Sequence, residues 1–196
     1  MFTPWEGDHY GASDNFPATL ILGESHYGED YPFPDKTIRC IRTQIEGRAW
    51  RFFTRVAASF LGHLPSREEK ASFWHSVAYH NLITTPLRGP RMPPSAEQWA
   101  ASLPTLESVL SDLRPGLVVV LGKRMWWQVG GMDCLADVAA QCPPGMLPPK
   151  RLKGDGTIFA AITHPSGRGF TWVAAHAHVE WAKRLALGIA DPGQPT

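Results

Sequence analysis

Four short apolar runs punctuate the chain, and each ends in glycine or polar residues. They are residues 18–23 (ATLILG), 76–84 (SVAYHNLIT), 117–122 (LVVVLG) and 157–163 (TIFAAIT). Runs of this length predict buried strands. Segments with a helical period lie between them. One spans about 37–47, with Asp35 or Thr37 as its cap, and a second about 48–62, with Trp50, Phe53, Val56, Ala57 and Phe60 on one face. Ser66-Arg67-Glu68-Glu69 has the form of a capping box and opens a short helix. Ser95 starts a helix to about residue 113, in which Pro104 predicts a break or kink. Lys123 opens another, and a final helix runs from about 171 to Gly188.

Strands separated by helices predict an α/β fold with a parallel sheet and helices on both faces. The first 17 residues show no periodicity and read as a loosely packed arm. Residues 131–156, with two Pro pairs and many Gly, read as a long surface loop with one turn of helix at most. Residues 1–190 form one domain, and 191–196 are a disordered tail by composition.

Composition narrows the class. A chain of 196 residues, 43% hydrophobic and 19% charged, is one soluble globular domain with a proper core. No apolar run nears the roughly 18 residues of a membrane span. Met1-Phe2-Thr3-Pro4-Trp5-Glu6 has neither the basic start nor the apolar core of a secretion signal, so a cytoplasmic protein with no membrane partner is expected. Cys40, Cys134 and Cys142 are too few and too scattered for a disulfide framework, zinc or an iron–sulfur cluster, so no metal or cofactor is expected.

The net charge of +1, from 19 Lys+Arg and 18 Asp+Glu, is weak for a non-specific nucleic-acid binder. The cations nevertheless gather in loops. Arg88 and Arg91 flank a Pro-rich loop, Lys123 and Arg124 follow a strand, Lys150, Arg151 and Lys153 share another loop, and Arg168 follows the last strand. Loop cations on one rim hold phosphates without a large net charge; ordinary solvated charge is the plain alternative.

Chemistry concentrates after the first and last apolar runs. Gly23-Glu24-Ser25-His26-Tyr27-Gly28 follows one, and His164-Pro165-Ser166-Gly167-Arg168-Gly169-Phe170 the other. Ligand sites in parallel α/β sheets form beyond the carboxyl ends of strands, so Glu24 and His164 are expected over one crevice. A carboxylate beside an imidazole does acid–base or charge-stabilising work near neutral pH. Asn81, near the end of the second run, carries a donor and an acceptor together and suits the edge of a pyrimidine.

The order of these motifs resembles the uracil-DNA glycosylase superfamily. Gly23-Glu24-Ser25-His26-Tyr27 is similar to its first motif, of forms such as GQDPYH or GEAPG, and His164-Pro165-Ser166-Gly167 to its last, HPSP. Asn81 matches the base-reading Asn of several branches, and Leu117 to Gly122 after Arg114-Pro115 the family's P-x-x-V-x-x-L-G strand. The resemblance spans residues 18–185. It implies a three-layer α/β/α sandwich with a four-stranded, largely parallel sheet, acting as a monomer on single- or double-stranded DNA. The implied reaction hydrolyses the N-glycosidic bond of a flipped-out uracil, deaminated or otherwise modified base, as one step of base excision in DNA repair.

Carried over residue by residue, the resemblance makes Glu24 the carboxylate that steadies the sugar cation, and His164 the donor to the leaving base. Gly23, Ser25, Tyr27, Phe33 and Asn81 line the base site, with Tyr27, Tyr31 and Phe33 as stacking candidates. Ser166, Gly167, Arg168, Arg88 and Arg124 meet DNA. Arg168 or Phe170 would fill the gap left by the flipped base. Ser25 stands where one branch has its catalytic Asp, and Gly167 where the last motif has Pro. The first departure leaves open a catalytically inactive nucleic-acid or nucleotide-binding module. A serine hydrolase with Ser25 as nucleophile and His164 as base is a third reading, without a G-x-S-x-G elbow to support it.

Overall fold

The computed structural model describes residues 2–12, 16–28, 34–89 and 92–189. Seven strands form one sheet: β1 (Trp5–Glu6), β2 (Thr19–Gly23), β3 (Ala78–Asn81), β4 (Leu117–Leu121), β5 (Leu135–Asp137), β6 (Lys150–Leu152) and β7 (Ile158–Ile162). Their order is β1-β3-β2-β4-β7-β6-β5. The four apolar runs are its centre, β3-β2-β4-β7, and all four are parallel, with Leu22 level with His80 and with Val120. Every residue of these strands is buried, as a sheet covered on both faces requires.

The expected count of four strands is therefore corrected to seven. The additions are antiparallel edges: β1 pairs with β3, β6 with β7, and β5 with β6. Strands of two or three residues are too short to show a period, and they exist because an unpaired sheet edge is unsatisfied. Two loop expectations change with them. The surface loop over 131–156 contains β5 and β6. The arm is not loose: Phe2 and Trp5 are buried, and the Trp5 indole donates to the Trp74 carbonyl at 2.7 Å.

Among the described residues there are six helices, the first five between strands and the last after β7: α1 (Lys36–Ile45), α2 (Arg51–Leu61), α3 (Arg67–Ser76), α4 (Ala96–Leu113), α5 (Lys123–Val129) and α6 (Trp172–Ala186). Asp35 is the N-cap residue of α1; it bonds Arg39 rather than the helix backbone, and Thr37 is buried inside the helix. The expected capping box forms between Ser66 and Glu69, and Ser95, expected only to start its helix, makes a second one with Gln98. The second strand starts later than expected because α3 continues to Ser76. α4 runs through Pro104 without a break. Trp99, Leu106, Val109 and Leu110 are buried along it, and that burial offsets the hydrogen bond a proline cannot donate.

One topological detail positions the site. From β2 the chain crosses to β3 on one side, and from β4 it crosses to β7 on the other. The carboxyl ends of β2 and β4 therefore flank the point where the winding reverses, the place where open α/β sheets carry their ligand sites.

Candidate active site at the strand ends

The residue after β2 is Glu24, and its side chain is 8% exposed. Arg124 stands three residues after β4, in the first turn of α5, with its side chain 47% exposed. Its Nε donates to Glu24 Oε2 at 2.8 Å and its Nη2 donates to Oε1, so the fork grips both oxygens. This ion pair spans the winding reversal. The hydrogen bonding to Glu24, and after it the Glu24 charge, raise the Arg124 pKa above its ordinary value. Arg124, expected as a rim cation free for phosphate, is instead committed to Glu24 on one side and faces solvent on the other.

His164 lies two residues past β7. The Ser166 backbone N–H donates to its Nδ1 at 3.1 Å. That bond leaves Nδ1 without a proton, so the neutral ring carries its hydrogen on Nε2 and is a donor there. Burial lowers the His164 pKa; the Glu24 charge opposes this and the Arg124 charge adds to it. Phe52 of α2 lies beside the imidazole, ring centroids 5.5 Å apart. Gly122, at φ +114°, follows β4 as the N-cap residue of α5, and a Cβ there would stand 3.2 Å from the His164 Cβ.

Asn81 closes β3, 2% exposed, and the Tyr79 hydroxyl donates to its Oδ1 at 3.0 Å. Among the described residues no acceptor is bonded to its Nδ2. The amide is thus oriented by Tyr79, with its oxygen partly committed. Gly23 also has a structural part. A Cβ on it would overlap the Tyr79 hydroxyl and Asn81 Oδ1, so its bare backbone makes room for that pair.

The remaining expected residues divide. Tyr27 is half-exposed beside the site; burial raises its phenol pKa, as does the Glu24 charge. Its loop is stitched to the next one, because Leu87 N–H donates to the His26 carbonyl at 2.9 Å and Gly28 N–H to the Leu87 carbonyl at 3.1 Å. Ser25 Oγ is buried without a hydrogen-bond partner, so the imidazole contact a serine hydrolase needs is missing. Phe33, Tyr31 and Arg91 lie outside the described residues. Ser166, Gly167, Arg168 and Arg88 are on the surface. The Gly167 amide, expected to meet phosphate, donates to the His164 carbonyl at 2.7 Å and tightens that turn.

Three contributors were missed in the sequence. Phe52 was read past in favour of its neighbour Phe53. Tyr79 read only as a strand residue. Arg55 of α2 donates from Nη1 to the Pro165 carbonyl at 2.6 Å and lies over the Phe170 ring, 5.4 Å from its centroid. It braces the last loop from a helix 110 positions away in sequence, and nothing local signals that. His26 of the first motif is packed edge-on against Phe2 and bonded to Thr37 at 3.0 Å.

A cavity of about 730 Å3 lies elsewhere, lined by Arg114, Pro115, Gly116, Asp155, Gly156 and Thr157 among others. These residues precede β4 and β7, at the opposite pole of the sheet from Glu24 and His164. The strand-end site is the better candidate because charged, hydrogen-bonding and aromatic groups converge there. Among the described residues no helix is long and apolar enough to cross a membrane, and no three His, Cys, Asp or Glu side chains gather as a metal site would require.

Fold and site together define a mixed α/β protein with a buried carboxylate–guanidinium pair at the carboxyl ends of parallel strands. No protein-family model matches the chain, and no curated protein matches it either.

Proposed function

We propose that the chain is a DNA glycosylase of the uracil-DNA glycosylase superfamily, hydrolysing the bond between deoxyribose and a uracil, deaminated or otherwise modified base. The observation that carries the reading is the Glu24–Arg124 pair at the winding reversal, with His164 packed against Gly122 just past β4 and Asn81 on the strand adjoining β2. The four parallel strands support the family's sheet. Right-handed crossovers put α1–α3 on one face and α4 and α5 on the other, which supports the three-layer sandwich. With the reading come DNA as partner, a monomer and a cytoplasmic location.

The chemistry follows from the charges. As the N-glycosidic bond breaks, its electrons leave with the base and the sugar becomes a cation. The Glu24 carboxylate faces that cation and orients the water that adds to it. The Nε2–H of His164 is a neutral donor for the negative charge growing on the base, and a preorganised donor of this kind often supplies the largest single term. Phe52 and Tyr27 offer faces to the base, and the Asn81 amide reads its edge. The solvent side of Arg124, with Arg88 and Arg168, meets phosphate.

A second reading keeps the fold without the chemistry. Both oxygens of Glu24 are held by Arg124, and Ser25 cannot ionise, so a binding module that recognises a nucleotide is the alternative. One assay separates them. Labelled single- and double-stranded oligonucleotides containing uracil, hypoxanthine, xanthine or modified cytosine are incubated with protein, then treated with alkali to break abasic sites. Cleavage that disappears in Glu24→Ala supports the enzyme. Unchanged cleavage in that variant removes the mechanism, and binding without any cleavage favours the module.

A further inference from the structure

α5 places a large indole on the surface beside the site. Trp127 is 67% exposed, whereas its neighbour Trp126 is buried in the core. Lys123 and Arg124, four and three residues earlier, are exposed too, as is Gln128. Residues three and four apart share a helix face, so Lys123, Arg124 and Trp127 form one outward surface. The rise from Arg124 to Trp127 is about 4.5 Å along the helix axis.

A large indole exposed beside the free charge of Lys123 suits a ligand that carries a flat ring and an anion together. We infer that Trp127 is a stacking platform for an unpaired base of the strand that runs past the site, with Lys123 on its phosphate. The ligand is single-stranded nucleic acid, or a locally opened duplex. A base inside a duplex has both faces covered by its neighbours and cannot stack on a side chain, whereas any unpaired base can, whatever its identity. The inference rests on the proposed function for the direction of the strand, and adds a substrate preference to it.

The test uses a fluorescein-labelled thymidine 12-mer and a blunt duplex of equal length, neither containing a modified base, followed by anisotropy. Trp127→Ala is expected to weaken binding of the 12-mer about ten-fold, and Trp127→Phe to restore most of it. Duplex binding stays within about two-fold in both variants. The position is exposed, so folding of these variants is checked simply by their thermal transition. Equal affinity of Trp127→Ala and the parent for the 12-mer overturns the platform. So does an equal loss on duplex, or no binding of the 12-mer by the parent. The glycosylase panel is read separately. Trp127-dependent binding without base release would leave the platform standing and remove the enzyme, and base release with Trp127-independent binding would do the reverse.

Discussion

Arg124 holds both carboxylate oxygens of Glu24, and the two residues come from opposite sides of the point where the sheet's winding reverses. Glu24 is buried and Arg124 half-exposed, so the pair is anchored on the carboxylate's side.

Arg124→Ala leaves a buried carboxylate without its counter-charge. Losing one partner of a fully buried pair costs about 3–5 kcal/mol, and solvent on the arginine side reduces this to about 1–2 kcal/mol. Urea unfolding reports the loss. Glu24→Gln in the same background recovers part of it, because a neutral amide tolerates burial without the arginine. If the two losses add, the pair is not coupled. In the glycosylase panel, Arg124→Ala lowers turnover by about ten-fold or more, since the carboxylate loses its orientation.

Acid weakens the fold through two other histidines. Burial holds the His26 pKa down to about 4, with the charges of Lys36 and His80 adding to the shift, and burial alone holds His80 at about 4. Both rings are neutral in the folded chain and charge more readily when unfolded. Their contribution is complete above about pH 6.5 and is lost as pH falls toward 4. A depression of this size corresponds to a contribution on the order of 3 kcal/mol per ring. The urea midpoint measured between pH 7 and 4 should drop steeply, and His80→Leu should flatten the slope. An unchanged slope would mean that His80 is not the buried neutral ring it is here.

His164 also titrates low, from burial first. Its neutral, Nε2–H form therefore persists below the ordinary histidine range. Turnover should hold below pH 6.5 and fall on an acid limb lying beneath that value. His164→Gln, which keeps a donor, should retain more activity than His164→Ala across the same profile.

Gly23→Ala places a methyl against the Tyr79 hydroxyl and Asn81 Oδ1. The expected cost is about 1–3 kcal/mol, as for other overpacked cores. Tyr79→Phe removes the atom most in the way and should return part of the stability. It would not return base recognition, because the Asn81 amide then loses the bond that orients it.

Arg55→Ala cuts the bond to the Pro165 carbonyl and uncovers Phe170. Amide hydrogen exchange across 164–170 should accelerate while α2 and α6 keep their protection. Arg55→Lys keeps the charge without the fork and should lie between the two.

Much of this protein is determined by the chain alone. Parallel strands buried on both faces must be apolar throughout, so Leu20 to Leu22, Val118 to Val120 and Phe159 to Ile162 announce the sheet. The capping boxes at Ser66 and Ser95 are local chemistry and equally legible. Strand ends carry the polar residues of a crevice, which is why Glu24, Asn81 and His164 stand out. Tertiary structure decided the rest, because distance in space is not written in local pattern. β1, β5 and β6 owe their existence to neighbouring edges, and the arm is fixed by the pockets that Phe2 and Trp5 fill. The partners of Glu24 and His164 were settled only when β4 and α2 came beside them. A charge 100 residues away closes the carboxylate, an aromatic ring from another helix lies beside the imidazole, and neither contact leaves a trace in sequence spacing.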